Sequence, residues 1–277
     1  MAYEKQRAQP LDYMPCRYAA SKLLFRGPKR KLEGQYAVFI GGTETYGKFI
    51  DRPFPALVEA QTGMACINLG WPNAGLDVLA NDEHIRAAAS GAAVTVVQVL
   101  GAQNLSNRYY SVHPRRNDRF VEATPLLRAM YGGVDFTEFH FVRHLLRHLS
   151  DVSPERFAVL RDELQAEWVS RMKLLLQKIE SAVVLLWISS QAPPDHADDP
   201  EISADPAFVT RAMLEKVSAP PVCIVDATLS KKARSQGCDG MVYSELEASV
   251  AAELPGVAAH REVARNLAPQ LGRYMQM

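Results

Sequence analysis

The stretch Gly42-Thr43-Glu44-Thr45-Tyr46-Gly47-Lys48 gathers two glycines, two hydroxyls, a carboxylate and a lysine into one short segment. Its spacing, GxxxxGK, can cradle phosphates between backbone amides and an ammonium, so it admits a nucleotide or sulfonucleotide at residues 42–48. Phe49 stands where such a loop needs a magnesium-binding Ser or Thr, and Pro53 and Pro55 bar an uninterrupted helix from Lys48 onward. A second concentration of charge, NLSNRYYSVHPRRNDRF at 104–120, carries Arg108, Arg115, Arg116 and Arg119 beside His113, Tyr109 and Tyr110. Paired guanidinium groups there could hold a carboxylate, sulfate or phosphate through bidentate hydrogen bonds. Ion pairing with Asp118, Glu122 or Asp135 is the competing account. His140, His144 and His148 recur every four residues, a spacing that shares one helical face and can bind zinc. Arg143 and Arg147 would repel a cation and no HExxH pattern is present, so an amphipathic basic face explains the series better. Neither a metal nor a cofactor is expected.

These residues must be positioned by a scaffold, and five nearly continuous apolar runs supply one: YAVFIGG (36–42), MACINLG (64–70), AVTVVQVLG (93–101), SAVVLLWIS (181–189) and PPVCIVDAT (220–228). Such runs, rich in β-branched residues, suit parallel strands covered on both faces. Helical segments are expected at 53–62, 76–90, 205–217, 244–253 and 258–271. The alternation predicts an α/β fold, a doubly wound, mainly parallel five-stranded sheet with helices on both faces. Residues 35–277 are read as one domain, with a helical insertion at about 102–180 and an N-terminal extension over 1–34 that wraps the domain or a partner, or is a solvated arm. Within the insertion, Ser153 and Pro154 open a helix whose stripe runs through Phe157, Leu160, Leu164, Trp168, Met172, Leu175 and Ile179. The polar, proline-rich segment 190–206 reads as a loop. In such sheets ligands bind at the carboxyl ends of the strands, which puts the first turn and the arginine stretch on the ligand side. Asp226 and Glu44 also fall at strand ends, with a structural or a site role open to each.

Lys plus Arg and Asp plus Glu both number 31, so no global field steers the chain to nucleic acid or to a membrane surface. The N-terminus has no apolar core of a secretory signal and no run is long enough to span a bilayer, so a cytoplasmic protein is expected. Cys16, Cys66, Cys223 and Cys238 lack CxxC spacing and suit inert reduced thiols.

The turn GGTETYG (41–47) also resembles the first block, GDSxTxG, of the SGNH (GDSL-like) hydrolase superfamily. PFPALVEAQTG is similar to the helix that follows in that family, INLGWPNAGLDVLAN to its second block, and VLGAQN to its third, covering about 36–105. The resemblance implies an SGNH- or flavodoxin-like three-layer sandwich and acyl transfer as esterase or acyltransferase. Thr43 would be the nucleophile and Gly42, Asn73, Gln103 and Asn104 would form the oxyanion hole and pocket. The family's DxxHP block would fall near ELPGVAAH, where Leu254 precedes Pro255, which leaves His260 as the substitute base or as a packed helix residue. Thr43 replaces a serine and its extra methyl crowds attack, and Asn73 stands where the second-block glycine is usual. The implied partner is an acylated or anionic small molecule or saccharide. A non-catalytic SGNH-like binding or assembly protein is the alternative, and a homo-oligomer stays open because the insertion could lid the pocket or form an interface. The stretches HPRRNDRF and DFTEFHF are similar to those of an uncharacterised bacterial family of unknown function, which implies no activity.

Overall fold

The computed structural model describes residues 11–195, 205–218 and 222–274. The first ten residues of the extension, most of the proline-rich loop and the start of the fifth apolar run lie outside them. Strands β1 (Tyr36–Gly41), β2 (Ala65–Gly70) and β3 (Val94–Gln98) precede a hairpin of β4 (Tyr110–His113) and β5 (Arg116–Ala123), and β6 (Ala182–Ser189) and β7 (Cys223–Thr228) follow it. Each apolar run supplies one strand of a five-stranded sheet ordered β2-β1-β3-β6-β7, parallel throughout. The chain leaves β1 for one neighbour and returns to the other, so the connections part at the carboxyl ends of β1 and β3, the mouth of the sheet, which is the position at which open parallel sheets bind ligands.

Alternate residues of each strand serve opposite faces. Val38 and Ile40 join Ile67, Val97, Leu185 and Trp187 in one apolar layer. Ala37 and Phe39 join Cys66, Val96, Leu186 and Val225 in the other. The second layer is covered by α2 (Phe54–Thr62) and α11 (Val257–Leu271), and the first by α3 (Leu76–Asn81), α4 (Glu83–Ser90), α6 (Val142–Val152), α7 (Pro154–Gln177) and α8 (Arg211–Val217); α1 (Thr43–Tyr46), α5 (Pro125–Met130), α9 (Lys231–Ser235) and α10 (Ala248–Ala252) are short connecting helices. Helix α7 starts as its sequence requires: Ser153 Oγ accepts from Arg156 N with Pro154 in the first turn, and the stripe from Phe157 to Leu175 is buried. Trp168 Nε1 donates to Leu100 O at 2.8 Å, which ties the helix to the end of β3 without leaving a buried donor unpaired.

The structure corrects several local expectations. The helix expected over 76–90 is two, because Asp82 Oδ1 accepts from His84 N and Ile85 N and caps a new start. The 205–217 segment becomes helical only at Arg211, after the Thr210 cap. The insertion is not wholly helical, since it opens with the β4–β5 hairpin. His140 lies outside α6, with its carbonyl accepting from Phe120 N. His144 and His148 share α6 and set their rings against Phe139 at 5.0 and 5.2 Å between centroids. Among the described residues no group of three or more His, Cys, Asp or Glu could hold a metal, and no helix is long and apolar enough to cross a membrane.

Part of the segment 11–34 packs against the sheet domain, while residues 31–34 are exposed. Cys16 and Phe25 exchange backbone hydrogen bonds at 2.9 Å, and Tyr18, Leu23 and Phe25 join the core. The four thiols are free, and burial pushes the Cys66 pKa up.

Candidate functional site

Strand β1, between β2 and β3, ends at Gly41, where a side chain would collide with Thr45 Oγ1 and Gln98 Oε1. Beyond it the backbone winds through one short helix, α1 (Thr43–Tyr46), and Gly47 ends it at φ 73° in the left-handed region that favours glycine. Gln98, 4% exposed at the end of β3, organises this turn. Its Oε1 accepts from Gly42 N at 2.9 Å, from Thr45 N at 3.3 Å and from Thr45 Oγ1 at 2.6 Å, and its Nε2 donates to Glu44 Oε2 at 2.7 Å. From the other side Arg26 reaches up from the N-terminal arm. Its guanidinium donates to the carbonyls of Tyr46, Gly47, Ile50 and Asp51.

The turn after β2 meets the turn after β1 at Thr43. Asn73 N donates to Thr43 Oγ1 at 3.0 Å, and the Thr43 hydroxyl lies 3.4 Å from Asn73 Oδ1. Asn73 has φ 58°, a left-handed conformation that explains why the resemblance places a glycine there and why asparagine is tolerated. Thr43, first in α1, has no intrahelical acceptor for its N–H. The hairpin braces this second turn. Asn117 Oδ1 accepts from Gly75 N at 2.8 Å and Val78 N at 3.3 Å, capping α3 from outside, while Trp71 Nε1 donates to Arg115 O at 2.7 Å.

The expected site residues therefore separate. Thr43 and Asn73 are together at the mouth. Gly42 is in the turn, but its amide is spent on Gln98. Gln103 is buried and its Nε2 is directed to Asp205 Oδ1 at 3.3 Å. Asn104 is half-buried in the third turn, its carbonyl packed against Gly75.

His260 has a different occupation from that of a base. Its Nδ1 accepts from Phe54 N at 3.1 Å and its ring stacks on Phe54 with centroids 5.8 Å apart. With Nδ1 accepting, the neutral ring carries its proton on Nε2, so neither nitrogen offers a free lone pair. Burial, helped by the Arg26 charge, lowers its pKa to about 3. Glu44 shares with Phe54, Ile188 and His260 the lining of a separate small crevice that is too narrow for a water molecule, and burial with the Asp205 charge raises its carboxyl pKa against the opposing Gln98 hydrogen bond and Arg143 charge.

The four arginines are dispersed. Arg108 pairs with Glu163 at 2.9 Å, and Arg119 lies 4.0 Å over the Phe141 ring. Arg115 and Arg116 are exposed at the hairpin tip, their amides donating to His113 Nδ1. The phosphate-loop reading loses its donors: Gly42 N and Thr45 N serve Gln98, and Tyr46 N, Gly47 N and Lys48 N turn back to Gly42 O and Thr43 O. Lys48 Nζ sits 4.6 Å over the Phe49 ring. Asp226 accepts from Thr228 N and Thr228 Oγ1 and closes its own turn. Sequence reading missed Gln98, Arg26 and Asn117. A polar residue interrupting a continuous apolar run was the available signal for the first.

A family model described as a domain of unknown function, DUF6473, matches residues 1–275. No protein of curated function matches the chain. Among solved structures, a lipase from a goat rumen metagenome is 10% identical, covering 87% of this chain and 98% of that one with a TM-score of 0.44. A protein assigned to the G-D-S-L lipolytic family from Desulfitobacterium hafniense is 12% identical over 85% and 99%, with a TM-score of 0.42. A family two carbohydrate esterase from Clostridium thermocellum, in complex with cellohexaose, is 11% identical over 92% and 68%, with a TM-score of 0.44.

Proposed function

The chain belongs to the DUF6473 family, and from the geometry of its first turn we propose that it is an SGNH-like esterase or acyltransferase acting on an acylated or anionic small molecule or saccharide. The observation that carries this reading is the Thr43 hydroxyl held 3.0 Å from the Asn73 amide, at the carboxyl ends of two paired parallel strands. Acyl transfer needs a hydroxyl beside amides that can receive the developing oxyanion; the Thr43 N–H, which has no intrahelical acceptor, supports that role, and the Asn73 N–H joins it once the Thr43 Oγ1 it now donates to bonds to the acyl carbon. In the reaction Thr43 Oγ1 bonds to the acyl carbon, the alkoxide leaves with the hydroxyl proton, and water or an acceptor alcohol then takes the acyl group. His260, its Nδ1 lone pair engaged by Phe54 N and its ring stacked on Phe54, does not support a role in moving that proton.

The second reading, a binding protein that retains the pocket without chemistry, is favoured by the engaged His260 and by the branched Thr43 side chain. Hydrolysis of a p-nitrophenyl ester by the full chain separates the two. Thr43→Ala should lower kcat/KM at least about tenfold and Thr43→Ser should raise it, while His260→Ala should change stability more than the rate per folded molecule. Equal turnover by wild type and Thr43→Ala would remove Thr43 from catalysis and leave the binding reading.

A further inference from the structure

A groove of about 370 Å³ runs between the N-terminal arm, α4 and the hairpin tip, within the range of small-molecule pockets. Lys22, Arg86 and Arg115 line it from those three elements. Among the described residues none of the three has a carboxylate partner.

The two acids on the same lining, Asp82 and Glu83, form no ion pair with these cations. Asp82 is consumed locally: Oδ1 accepts from His84 N and Ile85 N, and Oδ2 accepts from Ser21 Oγ at 2.6 Å. Glu83 turns to its neighbour His84 at 3.6 Å. Arg86 Nε is buried without an acceptor, a condition that folded proteins avoid and that an oxyanion would relieve. Arg115 is fixed by its backbone, with its carbonyl accepting from Trp71 Nε1 and its amide donating to His113 Nδ1, so only its side chain is uncommitted.

We propose that this groove binds a sulfate or phosphate group, free or carried on a small molecule, with Arg86 and Arg115 as forked donors and Lys22 as a point charge. Two guanidinium groups and an ammonium from three elements match a compact dianion better than a single carboxylate. The site is independent of the Thr43 reading and uses none of its residues.

The test titrates sodium sulfate, sodium phosphate and sodium acetate into the full chain at constant ionic strength, followed by calorimetry. The dianions should bind in preference to acetate. Arg115→Gln, at an exposed position, and Arg86→Gln should each weaken them roughly tenfold or more, and Thr43→Ala should leave them unchanged. Glucose 6-sulfate and glucose 6-phosphate, run beside the inorganic anions, distinguish a carried group from a free one by their relative affinity. Undiminished dianion binding by a folded Arg86→Gln/Arg115→Gln double variant, or no saturable binding of either dianion by the wild type, would overturn the proposal.

Discussion

At the scale of single residues, Gln98 determines whether the turn exists in its observed form. One amide oxygen serves two backbone N–H groups and a hydroxyl, and the amide nitrogen restrains Glu44. Removing it strands buried donors, and each unsatisfied buried group costs about 1–3 kcal/mol. Gln98→Ala should therefore lose on the order of 3 kcal/mol in urea denaturation, beyond what the lost side-chain volume explains. A loss under about 1 kcal/mol would mean that water replaces the amide. Gln98 was visible as the polar interruption of AVTVVQVLG, but its partners were not. A strand residue's contacts at a sheet end are fixed by whichever turn folds back over it. Asn73 is the contrasting case: its identity is compatible with a left-handed backbone, so the departure from glycine carried its own explanation.

At the scale of elements, the N-terminal arm and the hairpin act as braces for turns that would otherwise end in unpaired backbone groups. Arg26 collects four carbonyls from the loop between α1 and α2. A charged donor shared among neutral acceptors contributes more than a neutral one. Arg26→Met should lower stability by about 3 kcal/mol and expose the peptide bonds around residues 47–52 to limited proteolysis. Unchanged cleavage there would show that the loop holds without the arm. The segment KLLFRGPKRK reads as a basic arm because local composition reports charge and says nothing of which carbonyls a guanidinium will find. The hairpin was hidden for a similar reason. β4 alternates over only four residues, too few to stand out, and the eight residues of β5, RNDRFVEA, lack the regular alternation that announces a strand.

At the scale of the whole molecule, two buried ionisable groups pull stability in opposite directions with pH. His260 is held neutral, so the unfolded chain binds a proton near pH 6.5 that the folded chain refuses until about 3. Its effect is to withdraw stability as pH falls through that window and to leave it intact above. Glu44, with its pKa raised by burial, holds a proton in the folded state that the unfolded chain has released, so its contribution is lost as pH rises from 4.5 through the raised value. Comparing wild type with His260→Asn, which keeps an acceptor for Phe54 N–H, isolates the histidine. Between pH 7 and 4 the wild type should lose stability more steeply, by up to about 1.4 kcal/mol per pH unit. Parallel stability curves would refute a neutral buried His260. The sequence by itself determined the five strands, the long stripe of α7 and the place of the first turn, because apolar periodicity and caps act over a few neighbouring residues. Only the tertiary structure decided that Gln98 and Arg26 own the turn's backbone, that the arginines of 108–119 disperse, and that His260 faces Phe54. Those outcomes depend on hydrogen bonds between residues as far apart as 206 positions, and no local pattern encodes them.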